Sequence, residues 1–244
     1  MELPFDELTK RSTRDSALSP RGAPETSSGA GVLGAMDLMD PLAAASALVA
    51  ATPWQFRAFV AALCFYHLSE YGIAWAFNRE TLSRDSWLLS RQYVVAMSAG
   101  CVEYAVELAL FPGFKRGDVG ALRWIARIGL AMVVWGDALR KAAQITARHN
   151  FTHQIQFSRR PTHRVVSHGV YAWCRHPGYL GWLTWSVGTQ VMLMNPICSF
   201  GFAVASWRFF ATRIPFEEGL LRRMFPGEYE AYAARTRTWI PGIP

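Results

Sequence analysis

The chain has 244 residues, 51% hydrophobic, 14% aromatic and 18% charged, with a formal net charge of +7. A mean hydropathy of only +0.10 excludes a uniformly lipid-clad bundle and leaves a small membrane protein with sizeable aqueous parts, or a very apolar soluble helical one. The basic residues are scattered between apolar blocks, which argues against a nucleic-acid partner and suits an anionic membrane surface.

Residues 1–30 are rich in Ser, Thr, Pro, Gly and charge and read as a disordered tail. The first apolar stretch follows them, too late for the usual secretory signal layout. Residues 31–147 then hold N-terminal transmembrane helices, and 148–244 form the candidate catalytic region. The stretch 32–51, broken by Asp37, Asp40 and Pro41, reads as a short or poorly inserted span. Trp54 to Phe77 is a helix that is no simple lipid-facing rod, because it contains Arg57, His67 and Glu70. A charged connection over 78–91 leads to a helix from Gln92 to Phe111. Its Glu103 and Glu107 share one face and must meet protein, water or a partner, unless the helix lies partly outside the lipid. Pro112 to Gly120 is a turn carrying Lys115 and Arg116, and Ala121 to Ala147 is helical, with Arg140 and Lys141 in the aqueous zone at its end.

A polar segment follows, containing His149, His153, His163 and His168 at a spacing that fits no usual zinc signature. The four cysteines, Cys64, Cys101, Cys174 and Cys198, include no C-x-x-C pair and form no disulfide framework. Cys174 stands beside Arg175 and is either somewhat acidified or a passive small residue. Within Gly169–Tyr179, Pro177 disfavours a helical residue before it, so a helix begins at Pro177 or Gly178. That places His176 at a helix N-terminus whose first N–H groups are available either to a cap or to a ligand.

Tyr179–Met194 and Ile197–Phe210 are apolar blocks joined by the turn signal Asn195-Pro196, a helical hairpin with Trp182, Trp185 and Trp207 as an aromatic belt. Beyond it, Leu220, Leu221, Met224 and Phe225 make an apolar patch that Tyr229 and Tyr232 extend. Folding the hairpin back brings 149–179 beside 208–232. Arg213 and Glu217 share a helical face if Pro215 starts a new turn, and read either as an exposed ion pair or as part of a site.

These segments together resemble the isoprenylcysteine carboxyl methyltransferases. The resemblance is carried by His149–His153, Thr162–Val166, Gly169–Tyr179, Gly188–Cys198, Trp207–Phe210, Glu217-Glu218 and Phe225–Tyr232. It runs nearly continuously from Arg140 to the end of the chain, and more weakly back to residue 54. Similar Arg-His-Pro strings occur in phospholipid methyltransferases and sterol reductases, so a small-lipid methyltransferase, a nicotinamide-dependent reductase and a non-catalytic adaptor remain as alternatives. The resemblance implies an all-α integral membrane bundle of about six transmembrane helices. It implies methyl transfer from S-adenosylmethionine to the C-terminal carboxylate of prenylated CaaX-type proteins such as small GTPases. The enzyme would sit in the endoplasmic reticulum membrane with its site facing the cytosol. By analogy Gln156, His163, Arg164, Val165, Val166, Tyr171, His176, Pro177, Gly178, Tyr179 and Glu217 hold the cofactor, and Arg213, with Glu217, serves catalysis by holding the substrate. The acceptor carboxylate is ionised at neutral pH, so no general base is required and Arg213 positions rather than activates.

Overall fold

The computed structural model describes residues 52–79, 82–116, 120 and 122–244, all within one compact unit, Leu48–Pro244. The tail expected over 1–30 and the weak span over 32–51 lie outside the described residues. Among the described residues seven α-helices follow in order: α1 (Trp54–Phe77), α2 (Arg91–Leu110), α3 (Pro112–Arg116), α4 (Leu122–Ala147), α5 (Pro177–Met192), α6 (Pro196–Met224) and α7 (Glu228–Arg235). Among the described residues there are no strands, and an isolated bridge joins Cys174 to Arg237. Local signals set several boundaries. The Ser90 side chain accepts from the Tyr93 N–H to cap α2, and prolines occupy the first turns of α5 and α6. Gly227, at φ +79°, admits the turn into α7.

Among the described residues α2 alone is long and apolar enough to pass as a membrane span on composition, with a mean hydropathy of 1.4. The other long helices and their connections carry polar groups, and several of these are buried inside the bundle. Glu70, Lys115, Arg140, Gln144, Gln190 and Asn195 are buried, while Phe65, Val95, Val102, Leu110, Val134, Ile197 and Phe200 are each more than half exposed. This distribution inverts that of a water-soluble bundle, and hydrocarbon is the surrounding medium it fits.

The tightest contact is between α4 and α5, and glycine makes it possible. A Cβ at Gly129 would lie 2.1 Å from the Met192 backbone nitrogen, and one at Gly136 would lie 2.5 Å from that of Trp185. The two backbones therefore touch, as small residues allow between membrane helices. Against this pair pack Phe59, Tyr66, Met97 and Tyr104 of α1 and α2. Trp185 is fully buried and stacks on Tyr66 at 4.1 Å between ring centroids. It belongs to the core, not to the expected aromatic belt; a helix flanked on several sides buries residues that hydropathy alone assigns to its surface.

The stretch expected as a turn at Pro112 begins with the short helix α3, which buries Lys115. Lys115 pairs with Glu107 at 2.6 Å and donates to the carbonyls of Leu193 and Met194 and to Asn195 Oδ1. These carbonyls end α5 and would otherwise be unsatisfied. Glu103, one turn earlier on the same face, accepts from the Ile197 and Cys198 N–H groups at 2.8 and 2.7 Å and caps α6. Both carboxylates of α2 thus face protein, and Arg116 alone of the two cations is exposed.

Gly136→Ala forces the α4 and α5 backbones apart and should cost at least about 1–3 kcal/mol. Gly201→Ala meets nothing within 4 Å and should be neutral. Thermal denaturation of the detergent-solubilised variants compares the two.

Candidate active site

The segment between α4 and α5 folds over the end of the bundle from which both helices emerge. A 3₁₀ turn, Arg148–Asn150, leaves α4, and a second, Gly169–Ala172, leads into His176, the N-cap of α5. Helix α5 begins at Pro177, as its sequence requires. The expected bare N–H groups are only partly available, since those of Tyr179 and Leu180 both turn back to the His176 carbonyl.

Gln156, His163, Arg164, Val165, Val166, Tyr171, His176, Gly178, Tyr179 and Glu217 line a single cavity beside this segment. Pro177 does not line it; the proline ring is buried as the first residue of α5. Arg213 does not line it either, and reaches it through Tyr179. Gly178 packs closely on Phe151, where a Cβ would lie 3.0 Å from the ring and would require it to shift. The far wall comes from Leu221 and Met224 of α6 and Tyr229 and Tyr232 of α7, the apolar patch read from the sequence.

Two buried polar atoms in the wall have no hydrogen-bond partner among the described residues, His163 Nδ1 and the Tyr229 hydroxyl. Burial, then the charges of Arg160 and Arg159, hold the His163 imidazole below its ordinary pKa, so it is neutral at pH 7. Burial pushes the Tyr171 and Tyr229 hydroxyls up, and both keep their protons.

Arg213 and Glu217 form no direct ion pair here. Arg213 Nε donates to the Tyr179 hydroxyl at 2.8 Å, and that hydroxyl donates to Glu217 Oε2. Pro215 lies inside an unbroken α6 and neither ends it nor starts a new turn. Arg213 Nη2 donates to the His153 carbonyl at 3.0 Å, and the guanidinium lies against the Tyr179 and Phe209 rings.

Glu218 is the residue that sequence reasoning passed over. Its Oε1 accepts from Arg175 Nε at 2.8 Å and lies 3.1 Å from His176 Nε2, and its Oε2 accepts from Arg222 at 3.0 Å. Glu218 therefore fixes the His176 ring, which stacks parallel to Tyr179. Arg175 also lines the cavity, and its guanidinium holds the C-terminal segment through the carbonyls of Ala233, Thr236 and Pro244. Burial raises the Cys174 thiol to about 11 despite the neighbouring Arg175. Cys174 is thus the passive alternative, donating to the Thr238 carbonyl.

Comparisons with known proteins give the family. The model of the isoprenylcysteine carboxyl methyltransferase family matches residues 129–223. A probable protein-S-isoprenylcysteine O-methyltransferase of Oryza sativa subsp. indica is 45% identical over 186 residues, covering 76% of this chain and 95% of the relative. The Mus musculus protein-S-isoprenylcysteine O-methyltransferase is 44% identical over 190 residues, 77% of this chain and 65% of that protein. A solved eukaryotic intramembrane Ras methyltransferase superimposes with a TM-score of 0.73 at 37% identity, over 78% of this chain and 67% of that one. Fold and site together define a membrane-embedded methyltransferase. The chain belongs to the isoprenylcysteine carboxyl methyltransferase family.

Burial alone would raise the Glu218 carboxyl, but the hydrogen bonds from His176 and Arg175 outweigh it and hold it at about 2. Glu218 stands in the charged last turns of α6, beyond the apolar block. A depressed carboxylate stabilises the fold above the unfolded pKa of about 4.3 and loses that contribution as pH falls toward 2. Acid unfolding followed by intrinsic fluorescence should therefore show a component between about pH 4 and pH 2 that Glu218→Gln lacks.

Proposed function

We propose that this protein methyl-esterifies the C-terminal carboxylate of a prenylated cysteine on processed CaaX-type proteins, including small GTPases. S-adenosylmethionine bound in the cavity would supply an electrophilic methyl group on a sulfonium sulfur. The observation that carries this reading is the relay Arg213–Tyr179–Glu217, which ties a cation with no carboxylate partner among the described residues to the wall of the cavity. The cavity suits that cofactor: His163 Nδ1 and the Tyr229 hydroxyl are buried and unpaired, ready for an adenosyl or amino-acid moiety, and Glu217 offers a carboxylate to an ammonium or to ribose hydroxyls.

Each residue then has a task set by its chemistry. The acceptor carboxylate, with a pKa near 3.5, is ionised at neutral pH, so no side chain need remove a proton. The Arg213 guanidinium holds it by a charge-assisted hydrogen bond from the end that its protein partners leave free. Alignment rather than activation is what the chain provides, and alignment supplies several kcal/mol. As the carboxylate oxygen bonds to the methyl carbon, the carbon–sulfur bond breaks and its electron pair returns to sulfur, with no proton transferred.

The setting follows from the same reading. The enzyme is multi-pass in the endoplasmic reticulum membrane, with about six spans and the site on the cytosolic side. Exposed arginines cluster at this end, Arg148, Arg159 and Arg164 before α5 and Arg222, Arg223, Arg235 and Arg237 after it, while at the other end Lys115 is buried against Glu107 and Arg116 is the exposed cation of that pair. An apolar exterior receives a prenyl chain from the lipid, and a water-facing cavity receives a polar cofactor.

With membranes, a labelled methyl donor and an N-acetyl farnesylcysteine acceptor, Arg213→Ala should lower kcat/KM for the acceptor at least about 100-fold, roughly 2.7 kcal/mol. Glu217→Ala should instead weaken donor binding at least about tenfold. Full activity in both variants, or hydride chemistry with a nicotinamide in place of methyl transfer, would refute the assignment. Separately, Tyr179→Phe removes only the shared hydroxyl and should impair the use of both substrates by about three- to tenfold, the worth of one hydrogen bond, as steady-state KM values for each would show.

A further inference from the structure

A buried carboxylate on a different helix anchors two of the elements that hold Arg213. Glu70 of α1 is fully buried and accepts five hydrogen bonds. Arg140 holds both oxygens through Nε at 2.7 Å and Nη2 at 2.9 Å. Lys141, Gln144 and His153 Nε2 complete the set at 2.7, 2.7 and 2.9 Å. A buried ion pair is a weak source of stability, since apolar replacements are often as good. What this one does is visible in where its donors lead.

Two of them continue into the site. Arg140 Nη1 donates to the Gly178 carbonyl at 3.1 Å, one residue before Tyr179. His153 has its ring on Glu70 and offers its own carbonyl to Arg213 Nη2 at 3.0 Å. Among the described residues the other hydrogen bond of Arg213 is donated by its Nε to the Tyr179 hydroxyl. Both hydrogen bonds that orient the Arg213 guanidinium are therefore referred back to one carboxylate. They occupy its Nε–Nη2 edge; among the described residues Nη1 has no hydrogen-bond partner and is the group left for an incoming carboxylate.

We propose that Glu70 is a positioning residue for the acceptor: through His153 and the first turn of α5 it fixes the direction in which Arg213 presents Nη1. The inference rests on the reading of Arg213 as the carboxylate holder.

The test is a double-mutant cycle on the purified full-length enzyme in nanodiscs, measuring KM for N-acetyl farnesylcysteine and for the methyl donor. Glu70→Gln and His153→Leu should each raise the acceptor KM at least fivefold, and His153→Leu should leave the donor KM within twofold. In an Arg213→Ala background either change should lower the residual kcat/KM by less than twofold, because the group being positioned is gone. Losses that multiply in the double variants, or a donor KM that rises in step with the acceptor KM in His153→Leu, would assign the network a purely structural role and overturn the proposal. Should Glu70→Gln fail to fold, His153→Leu decides alone, since it leaves the Glu70–Arg140 pair intact. An Arg213→Ala enzyme with unchanged acceptor kinetics would instead refute the underlying reading of Arg213, an outcome distinct from additivity.

Discussion

The contact of α4 with α5, backbone against backbone at Gly129 and Gly136, is the constraint from which the site follows. Two helices that approach so closely leave no room between them for the polar segment that joins them. That segment is displaced to the end of the bundle, where it meets α6 and α7 and encloses the cavity. The close approach also fixes the height of Pro177 on its neighbours, and with it His176, Gly178 and Tyr179. In lipid there is little hydrophobic force between helices, so shape and internal hydrogen bonds hold the arrangement.

Beside the Glu217 relay, three groups of internal hydrogen bonds among the described residues centre on carboxylates. Glu103 and Glu107 work at one end of the bundle, where they cap α6 and neutralise Lys115. At the other end Glu218 holds His176 and Arg175, and Glu70 gathers Arg140, Lys141 and His153. Each carboxylate sits on one helix and takes donors from another element. A carboxylate sealed in a membrane protein is expensive unless it is fully satisfied, and these are surrounded by cations and N–H groups.

Local chemistry made much of this legible in advance. The limits of α1, the start of α5 at Pro177 and the turn at Asn195-Pro196 follow from apolar runs and proline alone. Gln156, His163–Val166, Tyr171, His176, Gly178, Tyr179 and Glu217 of the cavity wall came from the family resemblance, whereas Phe151, Ile155 and Arg175 join the wall only in the folded chain. Direction was not legible. Glu217 and Glu218 are adjacent and chemically identical, and helical spacing cannot say which one faces the cavity until the partners on α5 are in place. Glu70 and Arg140 are 70 residues apart, and only the packed bundle brings them together. Trp185 and Lys115 show the same limit: hydropathy reports what a residue prefers, while burial depends on how many neighbours surround its helix. Pro215 was over-read, because a long helix packed along its length tolerates the loss of one backbone bond.

The Tyr179 hydroxyl is held by Arg213 on one side and gives its only proton to Glu217 on the other. If the two flanking residues serve different ligands, that oxygen is a thermodynamic joint between them. Loading either ligand alters the pull on the hydroxyl, and the other ligand's affinity must change by the same factor, whichever arrives first. Reciprocity of this kind needs no moving domain and no second conformation, only one atom with two owners.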